Sequence, residues 1–386
     1  MKNSSKPGVI IIEGHVQGLA NTRALGRAGI PVIVVDTSDC IARHSKYCRS
    51  FFKCPGFLDP HFIDFLVELK ERETLQDWLL LPSNDHAVYN IAKHRKVLES
   101  HFKMITPDLY TIEKIYDKLQ LVNLATTLGL PTPKTVAGKV ENSTTLHYPV
   151  ITKGRHGFSF YKTVGTKAIL SHDSTELSVN LNRLKERWPL EQSFTQEVIP
   201  FDGTNRTISF AAFSVAGEIK TFWMGVKLRE HPLRFGTATF CQSLYQQECL
   251  DQSVPLLHAM NYTGVCEIEY LRDPRDGHFK LIEINARTWL WVGLAVHCGI
   301  NFPLYIYNYV NNSPNEFPAT YPTTIKWRNY WTDLIYSIND ILANHMSYKS
   351  YRKSLKGEII DAVRSKDDPK PFRAMTRMLP KLALSR

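Results

Sequence analysis

A hairpin of two apolar strands is the feature of this sequence that most restricts its fold. Residues 265–270 alternate between two faces, which is typical of a β-strand. The turn signal Asp-Pro-Arg-Asp-Gly follows at 273–277, and residues 279–285 form the predicted return strand. An antiparallel pairing of the two segments brings together the side chains that project from one face.

Acidic and amide side chains share that face. Glu269 on the first strand comes next to Glu283 and Asn285 on the second, and Glu267 lies on the same face as Glu269. Carboxylate and amide oxygens are the ligands that Mg²⁺ prefers. A solvated, charged hairpin face is the alternative, but it leaves unexplained why acids end apolar strands without nearby lysine partners. We therefore favour a metal site, with Glu267 and Glu269 as the two candidates for its first ligand.

The N-terminal residues predict the start of a doubly wound parallel sheet. The apolar run at 9–12 is typical of a strand buried on both faces, and a helical stretch leads to a second strand at 31–36. Gly14 and Gly18 lack the close Gly-x-Gly spacing of a dinucleotide site. Asp36 is placed where a ribose-binding acid would lie, but alone it does not indicate NAD binding.

Charge and cysteine content exclude several classes of protein. The net charge is +10, and residues 346–386 alone hold 11 basic against 4 acidic residues. The remainder is therefore close to neutral, and we expect no nucleic-acid-binding surface. Seven cysteines, an odd number without a Cys-x-x-Cys pair, argue against a disulfide framework and favour a cytoplasmic location.

The spacing of Glu269, Glu283-x-Asn285 and Arg287 resembles the ATP-grasp superfamily, which includes biotin carboxylase, carbamoyl-phosphate synthetase and D-alanine–D-alanine ligase. The resemblance implies that Glu269, Glu283 and Asn285 bind Mg²⁺ or Mn²⁺. It also implies that Arg287 faces the transferring phosphoryl group or the substrate. Within the superfamily, the chain is similar to carboxylate–amine ligases related to D-aspartate ligase.

Two lysines precede the hairpin in the order that the superfamily shows. Lys118 resembles the first phosphate-contacting lysine, and Lys153 resembles the second. Either lysine alone would more often lie at the surface, whereas two in this order indicate neutralisation of phosphate charge. The resemblance assigns Gly154, Gly157 and Ser159 to the loop that covers the phosphates.

A third segment resembles the hinge between the two ATP-grasp lobes. It comprises Gln196, Glu197, Val198 and Ile199. The resemblance makes Glu197 and Ile199 contacts of the adenine and Asp202 a contact of the ribose. Outside this context, these residues would be an ordinary strand end.

Two basic residues share one face of a later strand. Lys227 and Arg229 would reach the γ-phosphate of ATP or an acyl phosphate, and a basic surface loop is an equal alternative. Together with Arg287 they are the catalytic candidates.

The resemblance implies an α/β architecture. We expect an ATP-grasp fold, two α+β lobes clasping ATP, preceded by a Rossmann-like doubly wound parallel α/β domain. The expected parts are residues 1–110 (Rossmann-like domain), 111–193 (N-terminal lobe), 194–315 (C-terminal lobe with the metal site) and 316–386 (a basic, helical extension).

The implied activity is that of an ADP-forming carboxylate–amine ligase. ATP would phosphorylate a small-molecule carboxylate, and an amine would displace phosphate from the acyl phosphate, near Asp85 and Trp289. A thiol acceptor or a carbamoyl or carboxylation reaction is the first alternative. A nucleotide-binding regulatory protein without turnover is the second. For the basic tail, we favour a helix packed on the body or on a homodimer partner over contact with a membrane surface.

Overall fold

Three β-sheets follow one another along the chain. The computed structural model describes residues 6–138, 146–232 and 236–384, and of residues 380–384 only the backbone. The first sheet is parallel, the second is small and antiparallel, and the third has seven strands.

The N-terminal domain is a parallel sheet of four strands in the order β3-β2-β1-β4. Its elements are β1 (Val9–Ile12), α1 (Val16–Arg27), β2 (Val32–Asp36), β3 (Cys48–Lys53), α2 (His61–Glu73), β4 (Leu79–Pro82), α3 (Asp85–Lys93) and α4 (Arg95–Leu98). The strands β1, β2 and β4 are buried along their whole length, which explains their uninterrupted apolar sequences. The predicted Rossmann-like domain is confirmed.

A pair of helices leads to the small sheet, whose strand order is β5-β8-β6-β7. The elements are α5 (Leu109–Tyr116), α6 (Lys118–Thr127), β5 (Thr135–Ala137), β6 (Val150–Gly154), α7 (Gly157–Val164), β7 (Ile169–Ser171), α8 (Ser174–Leu184) and β8 (Ser193–Glu197). We expected the second lobe to begin at residue 194. Instead, the backbone of β8 pairs with β5 and β6, so this strand belongs to the small sheet.

The large sheet has the strand order β13-β12-β9-β10-β11-β14-β15. Its first part comprises β9 (Thr207–Val215), β10 (Glu218–His231), β11 (Thr237–Leu244), α9 (Gln247–Ala259), β12 (Gly264–Arg272), β13 (Phe279–Asn285), α10 (Val292–His297) and α11 (Phe302–Val310). The adjacent strands from β13 to β14 run antiparallel. The predicted hairpin is the pair β12 and β13.

The C-terminal extension continues this sheet. It contains β14 (Lys326–Arg328), α12 (Tyr330–Leu342), α13 (Tyr348–Ser354), β15 (Ile359–Asp361) and α14 (Lys370–Leu384). We expected a helical extension, and three helices are present. However, β14 pairs with β11 and β15 pairs with β14, so the extension also supplies two strands to the sheet edge.

Buried apolar side chains join the N-terminal domain, the large sheet and the extension. One continuous cluster includes Leu19 on α1, Trp223 on β10, Trp289, Trp327 on β14 and Met375 on α14. Burial of this shared surface stabilises the arrangement of the three parts. Among the described residues, no helix combines the length and apolarity needed to span a membrane.

A buried carboxylate fastens the extension to the N-terminal domain. Asp368 is fully buried and accepts hydrogen bonds from Arg23 Nε (2.9 Å), Ser45 Oγ (2.6 Å) and the backbone N–H of Lys46 (2.9 Å). The neighbouring Asp367 pairs with Arg27 at 2.9 Å, but both side chains are largely exposed.

Replacing Asp368 tests this attachment. Asp368→Ala leaves Arg23 buried without its counter-charge, and we expect the free energy of unfolding to fall by about 3–5 kcal/mol. Asp367→Ala, the matched control, removes exposed contacts with Arg27, Tyr47 and Ser365 and should cost about 1 kcal/mol or less. Urea unfolding followed by tryptophan fluorescence measures both. Equal midpoints for the two variants would contradict the structural role of Asp368.

Candidate active site

A cavity of about 1120 Å³ lies between the small sheet and the large sheet, with α3 and the C-terminal extension also contributing to its wall. It brings together many residues predicted from the sequence: Lys118, Lys153, Gly154, Gly157, Gln196, Glu197, Val198, Ile199, Lys227, Arg229, Glu269 and Glu283. Two elements that are far apart in the sequence, the hairpin and the segment 118–157, therefore meet at one site.

The hairpin register explains how the acids converge. Glu269 lies directly opposite Glu283, as predicted, whereas Asn285 lies opposite Glu267. The expectation that these acids lack lysine partners is wrong. Lys118 donates to Glu283 (3.1 Å between Nζ and Oε2), and Lys227 donates to Glu269 (2.7 Å between Nζ and Oε1). The partners come from α6 and β10 and are not visible in the local sequence of the hairpin.

These charges shift one another's protonation equilibria. The Lys118 ammonium holds the pKa of Glu283 down to about 2, and Glu283 raises the pKa of Lys118. Burial would lower the pKa of Lys227, but the carboxylates of Glu269 and Glu267 outweigh burial and raise it. Glu283, Lys118 and Lys227 are therefore charged at neutral pH.

Lys153 is the third lysine of the cluster. Among the described residues, it forms no ion pair like those of Lys118 and Lys227. Burial, together with the nearby Lys118 ammonium, lowers the pKa of Lys153 to about 8. When Lys153 is protonated, its ammonium group adds a positive charge beside the two lysine–carboxylate pairs. Such a site favours anionic ligands with several oxygens.

Glu267 differs from Glu269 in its surroundings. Its buried carboxylate accepts hydrogen bonds from Ser209 Oγ (2.6 Å) and Asn285 Nδ2 (3.0 Å), and it does not line the cavity. Burial and the neighbouring Glu269 raise the pKa of Glu267 to about 7. Glu267 thus orients the Asn285 amide, whereas Glu269 faces the cavity.

Arg287 follows β13 and binds the N-terminal domain. Its Nε and Nη2 donate to the two carboxylate oxygens of Asp85 at 2.8 and 2.9 Å. Asp85 is the first residue of α3 and lines the cavity, whereas Arg287 and Asn285 do not. The predicted proximity of Asp85 to the site is observed, and its contact with Arg287 was not foreseen.

Arg229 lines the cavity, but its guanidinium group is engaged by the extension. It donates to both oxygens of the buried Asp333 at 2.7 and 2.8 Å and to Ser354 Oγ at 2.6 Å, and it lies 4.0 Å from the ring centre of Phe240. The sequence offered no motif for Asp333 or Ser354. These contacts place Arg229 as an anchor of the extension.

The glycine-containing segment after Lys153 forms the start of a helix. A Cβ at Gly154 would lie 2.3 Å from Phe160 Cβ, so close packing requires glycine there. Gly157 is the first residue of α7 and lies next to the Lys118 side chain. The N–H groups at the start of α7 thus lie beside the lysines, an arrangement that attracts anions. Ser159 is exposed and does not line the cavity.

The predicted hinge lines the cavity through Gln196, Glu197, Val198 and Ile199. The Glu197 side chain, however, is buried and held on both oxygens, by the backbone N–H of His147 (2.8 Å) and by Arg275 Nη1 (2.7 Å). Since these contacts occupy the carboxylate, this segment has mainly backbone groups and apolar side chains to offer a ligand.

Asp202 does not line the cavity. Its Oδ1 accepts hydrogen bonds from the backbone N–H groups of Thr204 and Asn205, both at 2.7 Å, so the carboxylate caps its own turn. Neighbouring Gly203 and Asn205 line the cavity instead. Asp202 therefore does not lie where a contact with the ribose was expected.

The oxygen donors at the hairpin fit a divalent cation of the magnesium type. No group of three or more His, Cys, Asp and Glu side chains converges within residues 6–138, 146–232 and 236–384. Two carboxylates on adjacent strands nevertheless suit Mg²⁺, which is usually bound by one or two carboxylates and takes its other ligands from phosphates and water. The ammonium groups that now hold these carboxylates mark the place where a cation is favoured.

Two lobes that enclose a cavity of lysines and carboxylates define the class: the chain has the ATP-grasp fold, as predicted. Residues 237–296 match the family model of the carbamoyl-phosphate synthase L chain, ATP binding domain. N5-carboxyaminoimidazole synthetase from Staphylococcus aureus is similar in structure, with a TM-score of 0.63, 14% identity and coverage of 97% of both chains.

Two ligases are also similar to this chain. D-aspartate ligase from Enterococcus faecium is 26% identical over 250 residues, which cover 60% of this chain and 59% of that protein. The match thus spans less than two thirds of that relative. L-amino acid ligase from Bacillus licheniformis has a TM-score of 0.59 and 16% identity. That alignment covers 80% of this chain and 75% of the ligase chain. The predicted resemblance to D-aspartate ligase is confirmed.

The environment of Lys153 predicts unusual reactivity. A lysine with a pKa of about 8 is half neutral at pH 8, whereas an ordinary lysine with a pKa near 10.4 is almost fully protonated. We expect amine-selective acylation at pH 8 to label Lys153 at least ~10-fold faster than the exposed Lys162 on α7, as measured by peptide mass spectrometry. Between pH 8 and pH 6 the labelling rate of Lys153 should fall about 50-fold, because its neutral fraction falls from about half to about 1%, while the preference itself persists. Equal labelling at pH 8 would contradict the lowered pKa.

Proposed function

We propose that the protein is an ATP-dependent carboxylate–amine ligase that forms a C–N bond and releases ADP and phosphate. One observation carries this proposal: three lysines and two glutamates lie together in a cavity between the two ATP-grasp lobes. They are Lys118, Lys153, Lys227, Glu269 and Glu283. Phosphoryl transfer requires mainly positioning and charge neutralisation, which this cluster supplies.

The cavity wall has apolar as well as charged side chains to offer the base and the phosphates of ATP. The apolar residues come from both lobes: Ile151, Val198, Ile199, Leu271 and Ile282. We place the adenine there, beside the backbone of the hinge. The three lysines and the start of α7 would hold the phosphates, with Lys118 and Lys153 on the α- and β-phosphates.

Glu269 and Glu283, with Asn285, are the residues that would hold Mg²⁺ or Mn²⁺. A bound cation would neutralise phosphate charge and align the γ-phosphate. Lys118 and Lys227, released from their carboxylates, would then donate to phosphate oxygens. Glu267 would keep the Asn285 amide oriented.

The catalytic roles combine this geometry with the family resemblance, since Lys227 lines the cavity whereas Arg287 does not. Lys227 would stabilise the charge on the phosphoryl group as the carboxylate attacks, and Arg287 would bind the acyl phosphate at the boundary with the N-terminal domain. Arg229 would act through its contacts with Asp333 and Ser354, which keep the cavity wall in place.

The two ligases that resemble this chain are named for amino acids, which supports an amino acid as a substrate of this protein. All seven cysteines are described and free of disulfides, which supports action in a reducing compartment such as the cytoplasm. ATP-dependent ADP release, assayed with D- and L-amino acids and dicarboxylates as carboxylates and with amino acids as amines, tests the activity. A protein that binds nucleotide without any such turnover would instead be regulatory.

Glu283→Gln removes the charge that pairs with Lys118. We expect carboxylate-dependent ADP release to fall by at least ~100-fold, because both the cation site and the phosphate-binding lysine lose their partner. Glu218→Gln is the matched control, since Glu218 forms an exposed ion pair with Lys220. Circular dichroism should show both variants folded. Wild-type turnover in Glu283→Gln would rule out the metal assignment.

The choice between Glu267 and Glu269 as the first ligand is also measurable. Because Glu269 faces the cavity, Glu269→Gln should raise the Mg²⁺ concentration for half-maximal ADP release more than Glu267→Gln does. The second variant should act only through the Asn285 amide, an effect of about 10–100-fold for an outer-shell partner. The reverse order would identify Glu267 as the ligand.

A further inference from the structure

A second polar site lies at the carboxyl ends of β1 and β4 in the N-terminal domain. The two strands are adjacent and parallel, with Ile12 opposite Pro82, so Glu13 and Ser83 follow them side by side. The carboxyl ends of parallel strands are the usual place for ligands in open α/β sheets. None of the roles proposed for the ATP cavity uses this site.

Glu13 is held in a specific position by two amides. Its Oε1 accepts a hydrogen bond from Asn84 Nδ2 at 2.9 Å, and its Oε2 accepts one from Gln17 Nε2 at 3.1 Å. The side chain is only half-buried, so a ligand has access to it. The backbone of Glu13 has φ of +74°, an unfavourable value for a residue other than glycine, and such strain clusters at functional sites.

Gln17 provides an independent sign of ligand binding. Its Nε2 donates to Glu13 Oε2 and to the carbonyl oxygen of Ser83 (2.9 Å), and because the Ser83 carbonyl can only accept, it fixes the orientation of the amide. Gln17 is 8% exposed, and its Oε1 has no hydrogen-bond partner in the described part of the chain. A buried acceptor without a donor is costly, so the site favours a ligand rich in N–H groups.

The charged groups around Glu13 also favour a ligand that carries N–H groups and a positive charge. Asp36 and Asp85 face it as acids, and Arg287 faces it as a base already paired with Asp85. Burial, together with Asp36 and Asp85, raises the pKa of Glu13 to about 7, against the opposing effects of Asn84 and Arg287. A carboxyl group of this kind can bind a cation and exchange a proton near neutral pH.

The site lies next to the wall of the ATP cavity. Asn84 contacts Glu13, and the next residue, Asp85, lines the cavity and binds Arg287. A substrate amine at Glu13 and an acyl phosphate at Arg287 would therefore meet beside the Asp85–Arg287 ion pair.

We propose that Glu13 and Gln17 bind the ammonium group of the amine substrate and that Glu13 takes up a proton from it as the amide forms. This proposal rests on the proposed ligase function. The ammonium gives one proton to the Glu13 carboxylate, and the neutral amine nitrogen attacks the acyl carbon. The C–N bond forms, the bond from the acyl carbon to the phosphate oxygen breaks, and phosphate leaves with that electron pair and takes the second proton.

Hydroxylamine separates the two halves of the reaction. It is neutral at pH 7 and traps an acyl phosphate as a hydroxamate without a base, whereas an amino acid requires loss of a proton. With D- and L-amino acids as carboxylates, Glu13→Gln should keep hydroxamate formation within about twofold of wild type. Amide formation with amino acids as amines, followed by mass spectrometry, should fall by about 100-fold or more. Glu68→Gln, the same change on an exposed residue of α2, should alter neither rate.

The pH profile provides a further readout that a purely structural role would not change. The amide-forming rate of the wild type should rise through pH 7 as Glu13 loses its proton, and Glu13→Gln should lack this rise. Unchanged amide formation in Glu13→Gln, with wild type active in both assays, overturns the role of Glu13 alone.

Two other outcomes separate failure of the ligase function from failure of the role of Glu13. If wild type forms no hydroxamate with any carboxylate, the ligase function fails and the role of Glu13 fails with it. If Glu13→Gln loses both activities, Glu13→Asp decides, because it keeps a shorter carboxylate. Normal hydroxamate formation with slow amide formation in Glu13→Asp supports the proposal, and loss of both activities overturns it.

Discussion

The bidentate ion pair between Arg287 and Asp85 links the parts of the molecule on which both candidate sites depend. Arg287 follows the acidic hairpin, and Asp85 begins α3 in the N-terminal domain. Arg287 Nε donates to one carboxylate oxygen of Asp85 and Nη2 donates to the other, so the pair fixes orientation as well as distance. Its position between the ATP cavity and Glu13 means that a shift of the N-terminal domain would alter both sites together.

The charges in the cavity are balanced across the fold rather than within one element. Lys118 comes from α6, Lys227 from β10, and their carboxylate partners from β13 and β12. Each ammonium satisfies a carboxylate that would otherwise be buried beside another acid. Under the proposed function, a nucleotide with its cation would offer both groups new partners of opposite charge. Charged groups held in position by the fold would lower the cost of aligning the phosphates.

Local sequence patterns explain the parts that were predicted correctly. The hairpin has alternating strands around strong turn chemistry, so the pairing of Glu269 with Glu283 follows from two short segments. The lysine partners of these acids lie 42 and 165 residues away in the chain, and no periodicity encodes such contacts. Asp202 was misassigned for a local reason, because Asp-Gly-Thr-Asn is itself a turn in which the carboxylate binds the following backbone N–H groups.

The C-terminal extension shows why a family pattern describes only part of a site. Its strands β14 and β15 have three residues each, too few for an alternating pattern to distinguish them from a loop. They nevertheless continue the large sheet, and the buried Asp333 on α12 binds Arg229 next to the cavity. The extension also supplies His345, Met346 and Ser350 to the cavity wall. Because the wall includes these side chains, the shape of the cavity depends on residues outside the motif that identifies the fold.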